Sequence, residues 1–201
     1  MKTLILIDVQ NDFMPGGSLA VSEGDDIVPI INGIQNQFDW VVASQDWHPP
    51  EHLSFARNHL EHKEFDEIEL NGLPQILWPA HCVQGTKGAE FHPDLNIKKI
   101  AAIFRKGMNP DIDSYSAFYD NGHLQSTGLT GYLQDIKAET LYFVGLAADF
   151  CVYFSIKDAL KAGFDCVLIE DATRAIDAEN FKTLRQQLLA DGVKIINSHQ
   201  L

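Results

Sequence analysis

Cys151 closes the segment Gly145-Leu146-Ala147-Ala148-Asp149-Phe150-Cys151, where an apolar run gives way to a helical pattern. That position puts the thiol in the first turn of a helix, where unpaired amides and the helix dipole favour the thiolate, the nucleophilic form of sulfur. The same turn offers the backbone N–H groups of Ala147 and Cys151 to the oxyanion formed when sulfur attacks a carbonyl, and its small residues permit close approach. A lone cysteine in apolar surroundings is otherwise a buried filler. No histidine stands as its obvious base. Asp8 and Lys106 are the candidates, one to accept the thiol proton and the other to stabilise the anion. Taken singly they read as a turn-capping carboxylate and a surface ammonium.

A second constellation has the residue types of a metal site. In Asp46-Trp47-His48-Pro49 a carboxylate and an imidazole stand two residues apart, so in extended chain both point to one side. Trp78-Pro79-Ala80-His81-Cys82 adds a second imidazole. Two nitrogens and one oxygen, with positions left for water or substrate, make an open, catalytic type of set. His52 is a candidate fourth ligand and Glu64 a harder alternative. Cys82 follows His81 directly, faces the other way and reads as packing. His59, His62, His92, His123 and His199 lack a partner at ligand spacing and read as solvated.

These residues need a scaffold that gathers them. Short apolar or β-branched runs recur at Thr3 to Ile7, Trp40 to Ala43, Ile100 to Phe104, Leu141 to Val144, Cys166 to Ile169 and Val193 to Ile196. They predict six buried strands. Apolar residues at spacings of three and four lie between several of them: Ile27, Ile30, Ile31, Ile34 and Phe38; Leu129, Tyr132, Leu133 and Ile136; Val152, Ile156, Ala159 and Leu160; Phe181, Leu184 and Leu188. Alternating strands and helices predict an α/β fold of three layers, α/β/α, around a mostly parallel six-stranded sheet. In such sheets the site gathers at the carboxyl ends of the strands. Asp8, Asp46, Lys106 and Cys151 follow four different strands and are therefore expected to converge. The stretch 45–98, rich in His, Glu, Pro and Gly, reads as an elaborated loop over the site.

The chain has 201 residues, 45% of them hydrophobic, which suits a single domain over 1–201. Its 28 acidic residues against 15 basic ones give a formal charge of -13. That charge repels phosphate backbones and anionic bilayers, so neither nucleic acid nor membrane is an expected partner. Leu4 to Ile7 is too short for a signal-peptide core. Three cysteines argue for free thiols in a reducing compartment, hence a cytoplasmic location. The sequence leaves self-association open.

At this point five ordered segments resemble a known family. Asp8-Val9-Gln10-Asn11-Asp12-Phe13, Asp46-Trp47-His48-Pro49, Trp78-Pro79-Ala80-His81-Cys82-Val83, Lys106-Gly107 and Gly145 to Val152 are similar to the nicotinamidase, or pyrazinamidase, branch of the isochorismatase-like cysteine hydrolases. The resemblance runs essentially end to end. It implies a triad of Asp8, Lys106 and Cys151, a cis peptide between Leu146 and Ala147, and one divalent metal, zinc, iron or manganese, on Asp46, His48 and His81. It also implies an aromatic wall of Phe13, Trp78 and Tyr115 around a nicotinamide ring whose nitrogen meets the metal or its water. Two rivals stay open: hydrolysis of a carbamoyl or ureido amide by the same thiol, and a zinc-binding regulator without turnover.

Overall fold

The computed structural model describes residues 1–201. The six apolar runs become one sheet, formed by β1 (Lys2–Ile7), β2 (Trp40–Asp46), β5 (Ile100–Lys106), β6 (Thr140–Leu146), β7 (Asp165–Arg174) and β8 (Lys194–Ile196). Their order is β5-β2-β1-β6-β7-β8, and every neighbouring pair is parallel. Strands covered on both faces have no polar side, which is why β1 reads as a continuous apolar run, buried from Thr3 to Ile7.

Helices cover the two faces unequally. α1 (Ile27–Ile34) sends Ile27, Val28, Ile31 and Ile34 against Leu4, Leu6, Val41 and Val144. On the other face Leu129 and Leu133 of α2 (Leu129–Asp135), Ile156 and Ala159 of α3 (Tyr153–Lys161) and Leu188 of α4 (Ala178–Ala190) pack on Ile5, Ile7, Val42 and Phe143. Alternate residues of β1 thus belong to opposite cores, as the period of a strand requires. α1 stops at Ile34, and Phe38, read from the sequence as part of its stripe, lies in extended backbone beyond a single 3-10 turn.

From β1 the chain moves outward through β2 to β5, then returns to the other side of β1 with β6 and continues to β8. The strand order therefore reverses between β1 and β6, and the crevice of an open α/β sheet lies at such a reversal. Asp8 leaves β1 there, and the Cys151 turn leaves β6.

The stretch 45–98 is more structured than a loop. It carries a hairpin, β3 (Glu67–Leu70) and β4 (Leu73–Ile76), which forms a separate antiparallel sheet. Its turn is Asn71-Gly72, both at positive φ (52° and 81°). Asn-Gly is the sequence signal for such a turn, hidden here by the charged residues that precede it.

Ile31 is fully buried between α1 and the sheet. Ile31→Ala is expected to lower unfolding free energy by about 2–5 kcal/mol, read as a shift of the urea midpoint at unchanged slope.

Candidate active site

Each reactive side chain is fixed by the strand it ends. Asp8 is the residue after β1 and turns into left-handed backbone at φ 48°, a conformation Asp tolerates better than most residues. Its N–H donates to Ser44 Oγ (3.2 Å), and that hydroxyl donates to Asp8 Oδ1 (2.7 Å). Asp46 and Lys106 are the last residues of β2 and β5, not residues beyond them, and sit directly across the register from one another. Gln10, wholly buried, clamps the Asp46 backbone from both sides: its Nε2 donates to the Asp46 carbonyl (2.9 Å), and its Oε1 accepts the Asp46 N–H (2.8 Å).

Lys106 is the centre of the cluster. Its Nζ lies 3.1 Å from Asp8 Oδ2 and 2.8 Å from Asp46 Oδ1, donates to the Ser114 carbonyl (2.8 Å) and reaches Cys151 Sγ at 3.5 Å. The Asp8 contact is an ion pair without hydrogen-bond alignment, so Asp8 Oδ2 is buried with no hydrogen bond. Lys106 as a whole is 2% exposed, which overturns its reading as a surface charge. Burial opposes its charge, yet Asp46 and Asp8 outweigh burial and hold its pKa well above the usual lysine range. For Asp8, burial wins over Lys106 and raises the carboxyl pKa, with Asp46 adding to the rise. For Asp46, burial is again the largest influence, but His48 and Lys106 together overcome it and hold the carboxyl well below its usual range.

Cys151 departs from the sequence expectation. It lies in a π-helical turn, Ala148–Val152, ahead of α3, with Phe150 and Val152 N–H groups both donating to the Ala147 carbonyl (3.1 Å each). Burial pushes its thiol pKa well above the ordinary value; Lys106 opposes this, while Asp8, Asp46 and Asp113 reinforce it. Burial thus works against the thiolate that the place in the turn favours. The Leu146–Ala147 peptide is cis.

On the other side of Asp46, its Oδ2 lies 3.2 Å from His48 Nε2 and 3.6 Å from His81 Nε2. The remote ring nitrogens are engaged elsewhere: His48 Nδ1 donates to the Gly107 carbonyl (2.9 Å) and His81 Nδ1 to the Pro79 carbonyl (2.8 Å). With Nδ1 donating to a carbonyl, Nε2 is the nitrogen each ring turns toward Asp46, the one through which a neutral imidazole so oriented binds metal. Asp46, His48 and His81 bring their ligand atoms within 4.8 Å of one another, so the residues present fit a divalent cation. His52 packs on His48 with ring centroids 4.4 Å apart, and its buried Nε2 has no partner. Burial, with His48 adding, pushes its pKa down to about 4, which favours the neutral imidazole. Glu64 is exposed and stays outside the cluster. Cys82 is fully buried, as expected of packing. Of the five histidines read as solvated, His62, His123 and His199 are exposed, but His59 and His92 are half-buried, His59 through a 2.7 Å contact with the Leu53 carbonyl.

A narrow cavity joins the two clusters. Phe13, Trp78 and Tyr115 line it, together with Asp46, His81, Ala147 and Cys151. Sequence reasoning missed Leu19, Asp113, Phe150 and Ile176 on the same walls. Only Phe150, beside Cys151, carried a signal. Asp113 accepts from the Ser114 N–H (2.7 Å) and from Gln75 Nε2 (3.0 Å), which ties the hairpin to the cavity.

Residues 2–200 match the isochorismatase domain. The chain belongs to the isochorismatase family. Within that family it is 49% identical over 199 residues to the nicotinamidase of Acinetobacter baylyi, a match covering 98% of this chain and 93% of the relative. Among solved structures, the nicotinamidase/pyrazinamidase of Acinetobacter baumanii superposes with a TM-score of 0.96 at 48% identity, covering 99% of this chain and 97% of that one. The pyrazinamidase of Pyrococcus horikoshii, in complex with zinc, does so with a TM-score of 0.81 at 34% identity, covering 98% of each. The expected fold is therefore the isochorismatase fold, with a wholly parallel sheet.

Two substitutions test the geometry. Lys106→Met leaves Asp8 and Asp46 facing each other without a cation, and unfolding free energy should fall by about 3–5 kcal/mol in urea titrations. A methyl group on Gly107 would come within 2.3 Å of His48 Cε1. Gly107→Ala is accordingly expected to displace His48 and lower bound divalent metal per chain, measured by elemental analysis after dialysis.

Proposed function

We propose that this chain hydrolyses nicotinamide to nicotinate and ammonia, with Asp8, Lys106 and Cys151 as the reacting groups. The observation that carries the reading is the pair of clusters sharing Asp46: a buried acid–ammonium–thiol set on one oxygen and two metal-ready imidazoles on the other, both opening into one aromatic cavity. The nicotinamidase and pyrazinamidase relatives support the substrate.

Asp46, His48 and His81 would hold one divalent ion, zinc in the first instance with iron or manganese as alternatives, and His52 is the candidate further ligand. When bound, the ion supplies a Lewis acid for the ring nitrogen. Phe13, Trp78 and Tyr115 hold the ring between their faces, and the carboxamide carbon is thereby set near Cys151 Sγ. Asp8, whose Oδ2 is free of hydrogen bonds, takes the thiol proton as sulfur attacks that carbon. Lys106 offsets the negative charge, which then spreads over sulfur and oxygen. The backbone N–H groups of Ala147 and Cys151 face the oxyanion. The C–N bond breaks, the nitrogen takes the proton from Asp8, and ammonia leaves a thioester on Cys151. Asp8 then removes a proton from water as its oxygen adds to the thioester. The C–S bond breaks, the leaving sulfur takes that proton back from Asp8 to restore the thiol, and the acid released loses its own proton to solvent as nicotinate. Two lower barriers replace one high one.

Pyrazinamide keeps a ring nitrogen in the equivalent position and is expected to react as well. The three free cysteines suit a reducing cytoplasm, where the product would return to pyridine nucleotide synthesis in NAD salvage. The whole chain is read as one hydrolase domain.

The test is ammonia release. Cys151→Ala should abolish it, and benzamide, which lacks the ring nitrogen, should react far more slowly than nicotinamide. Near-normal turnover by the variant would remove Cys151 from the mechanism; equal rates on the two amides would remove recognition of the ring nitrogen. Chelation followed by dialysis should suppress activity, and added divalent ion should restore it.

A further inference from the structure

The two imidazoles beside Asp46 come from separate segments that are joined at their backbones. His48 N–H donates to the Cys82 carbonyl (3.0 Å) and Gln84 N–H donates to the His48 carbonyl (2.8 Å), which makes a single parallel bridge between the chain after β2 and the chain after His81. The two rings stand edge to face, 5.0 Å between centroids. A displacement of Cys82 therefore reaches both of them, His81 through the adjoining peptide and His48 through the bridge.

Cys82 is itself held against its preference. Its backbone is left-handed, φ 46°, a region unfavourable for a residue with a Cβ and kept only where the surroundings impose it. Asp12, 70 residues away in the chain, imposes it: its Oδ2 accepts the Cys82 N–H at 2.7 Å. A bond to an ionised acceptor is stronger than one between neutral groups. The other oxygen, Oδ1, accepts the Ser18 N–H (3.3 Å). Gly88 makes the space for this carboxylate, since a Cβ there would overlap its carbon and both its oxygens.

Asp12 also joins the walls of the cavity to the metal ligands. Its carbonyl accepts the N–H of Leu19 (3.0 Å), a wall residue, and its neighbour Phe13 sets its ring 5.5 Å from that of His81. Asp12 does not line the cavity itself and does not belong to the ligand group. Whatever it does there, it does through Cys82.

We infer, on the reading that Asp46, His48 and His81 hold a divalent ion, that Asp12 is the positioning residue of that site. Its carboxylate sets the Cys82 turn, and the turn sets both imidazoles against Asp46. Groups that orient metal ligands in this way typically contribute about 10- to 100-fold in metal affinity.

Cobalt(II) binding to the full chain tests this without any turnover, by competition with a chromophoric chelator and by the visible ligand-field absorption of the bound ion. The unaltered chain should take up one ion. Asp12→Ala should weaken binding by about 10- to 100-fold and alter the absorption, because the imidazoles no longer meet the ion at the same angle. Asp12→Asn still offers an oxygen to Cys82 and should stay closer to the unaltered chain. Gly88→Ala, which displaces the carboxylate without removing it, should weaken binding in the same direction and serves if Asp12→Ala does not fold. Circular dichroism and urea unfolding of the metal-free proteins establish which variants are folded. Unchanged affinity and absorption in the folded variants, with only the unfolding midpoint lowered, would reduce Asp12 to a fastening of the loop and overturn the inference. An asparagine variant as weak as the alanine variant would overturn it too. An unaltered chain that binds no cobalt would reject the metal ligands themselves, and the role of Asp12 with them.

Discussion

The site depends on one buried ammonium. Asp8 and Asp46 end neighbouring strands, and with both buried their charges could not coexist without a cation between them. Lys106 is that cation, delivered by the next strand over, and it reaches the sulfur as well. Its long side chain allows one charge to neutralise two carboxylates from an edge strand while the backbone stays in register. The arrangement is costly to desolvate and is worthwhile only because every charged atom in it has a partner or a task.

Asp46 divides the site in two without separating the halves. One carboxylate oxygen faces Lys106, the other the imidazoles of His48 and His81. Gln10 fixes its backbone, and carbonyls of Gly107 and Pro79 set the tautomers of the two histidines. The residue that follows Lys106 thus orients a histidine from a different segment. The groups that set the precision of the site are mostly backbone atoms and an amide side chain.

That distribution explains what could be read from the sequence. The six strands were legible because burial on both faces removes polar residues from them, and Asp8, Asp46, Lys106 and Cys151 stood out because each follows such a run. The family motifs brought Phe13, Trp78 and Tyr115 to the same cavity. Leu19, Asp113 and Ile176 were not legible, since they act through contacts between distant loops and no local spacing marks them. The β3–β4 hairpin was lost in a charged stretch despite its Asn-Gly turn. The rise of the Cys151 pKa was not legible, because it comes first from burial and then from carboxylates of other segments, whereas the helix position is local.

The reversal of strand order between β1 and β6 also has a consequence for how the molecule comes into being. β1 lies at the middle of the sheet, but its partner β6 is made only after more than half of the chain, so their pairing is a contact of long range and slow closure. Synthesis proceeds from the N-terminus, and Asp8, Asp46, His48, His81 and Lys106 all precede the thiol. The Cys151 thiol is thus the last of these groups to be made, and it meets them only when the central pair of strands has closed. Completion of the cluster is in this sense a late event of folding, delayed by topology until the surrounding walls can exist.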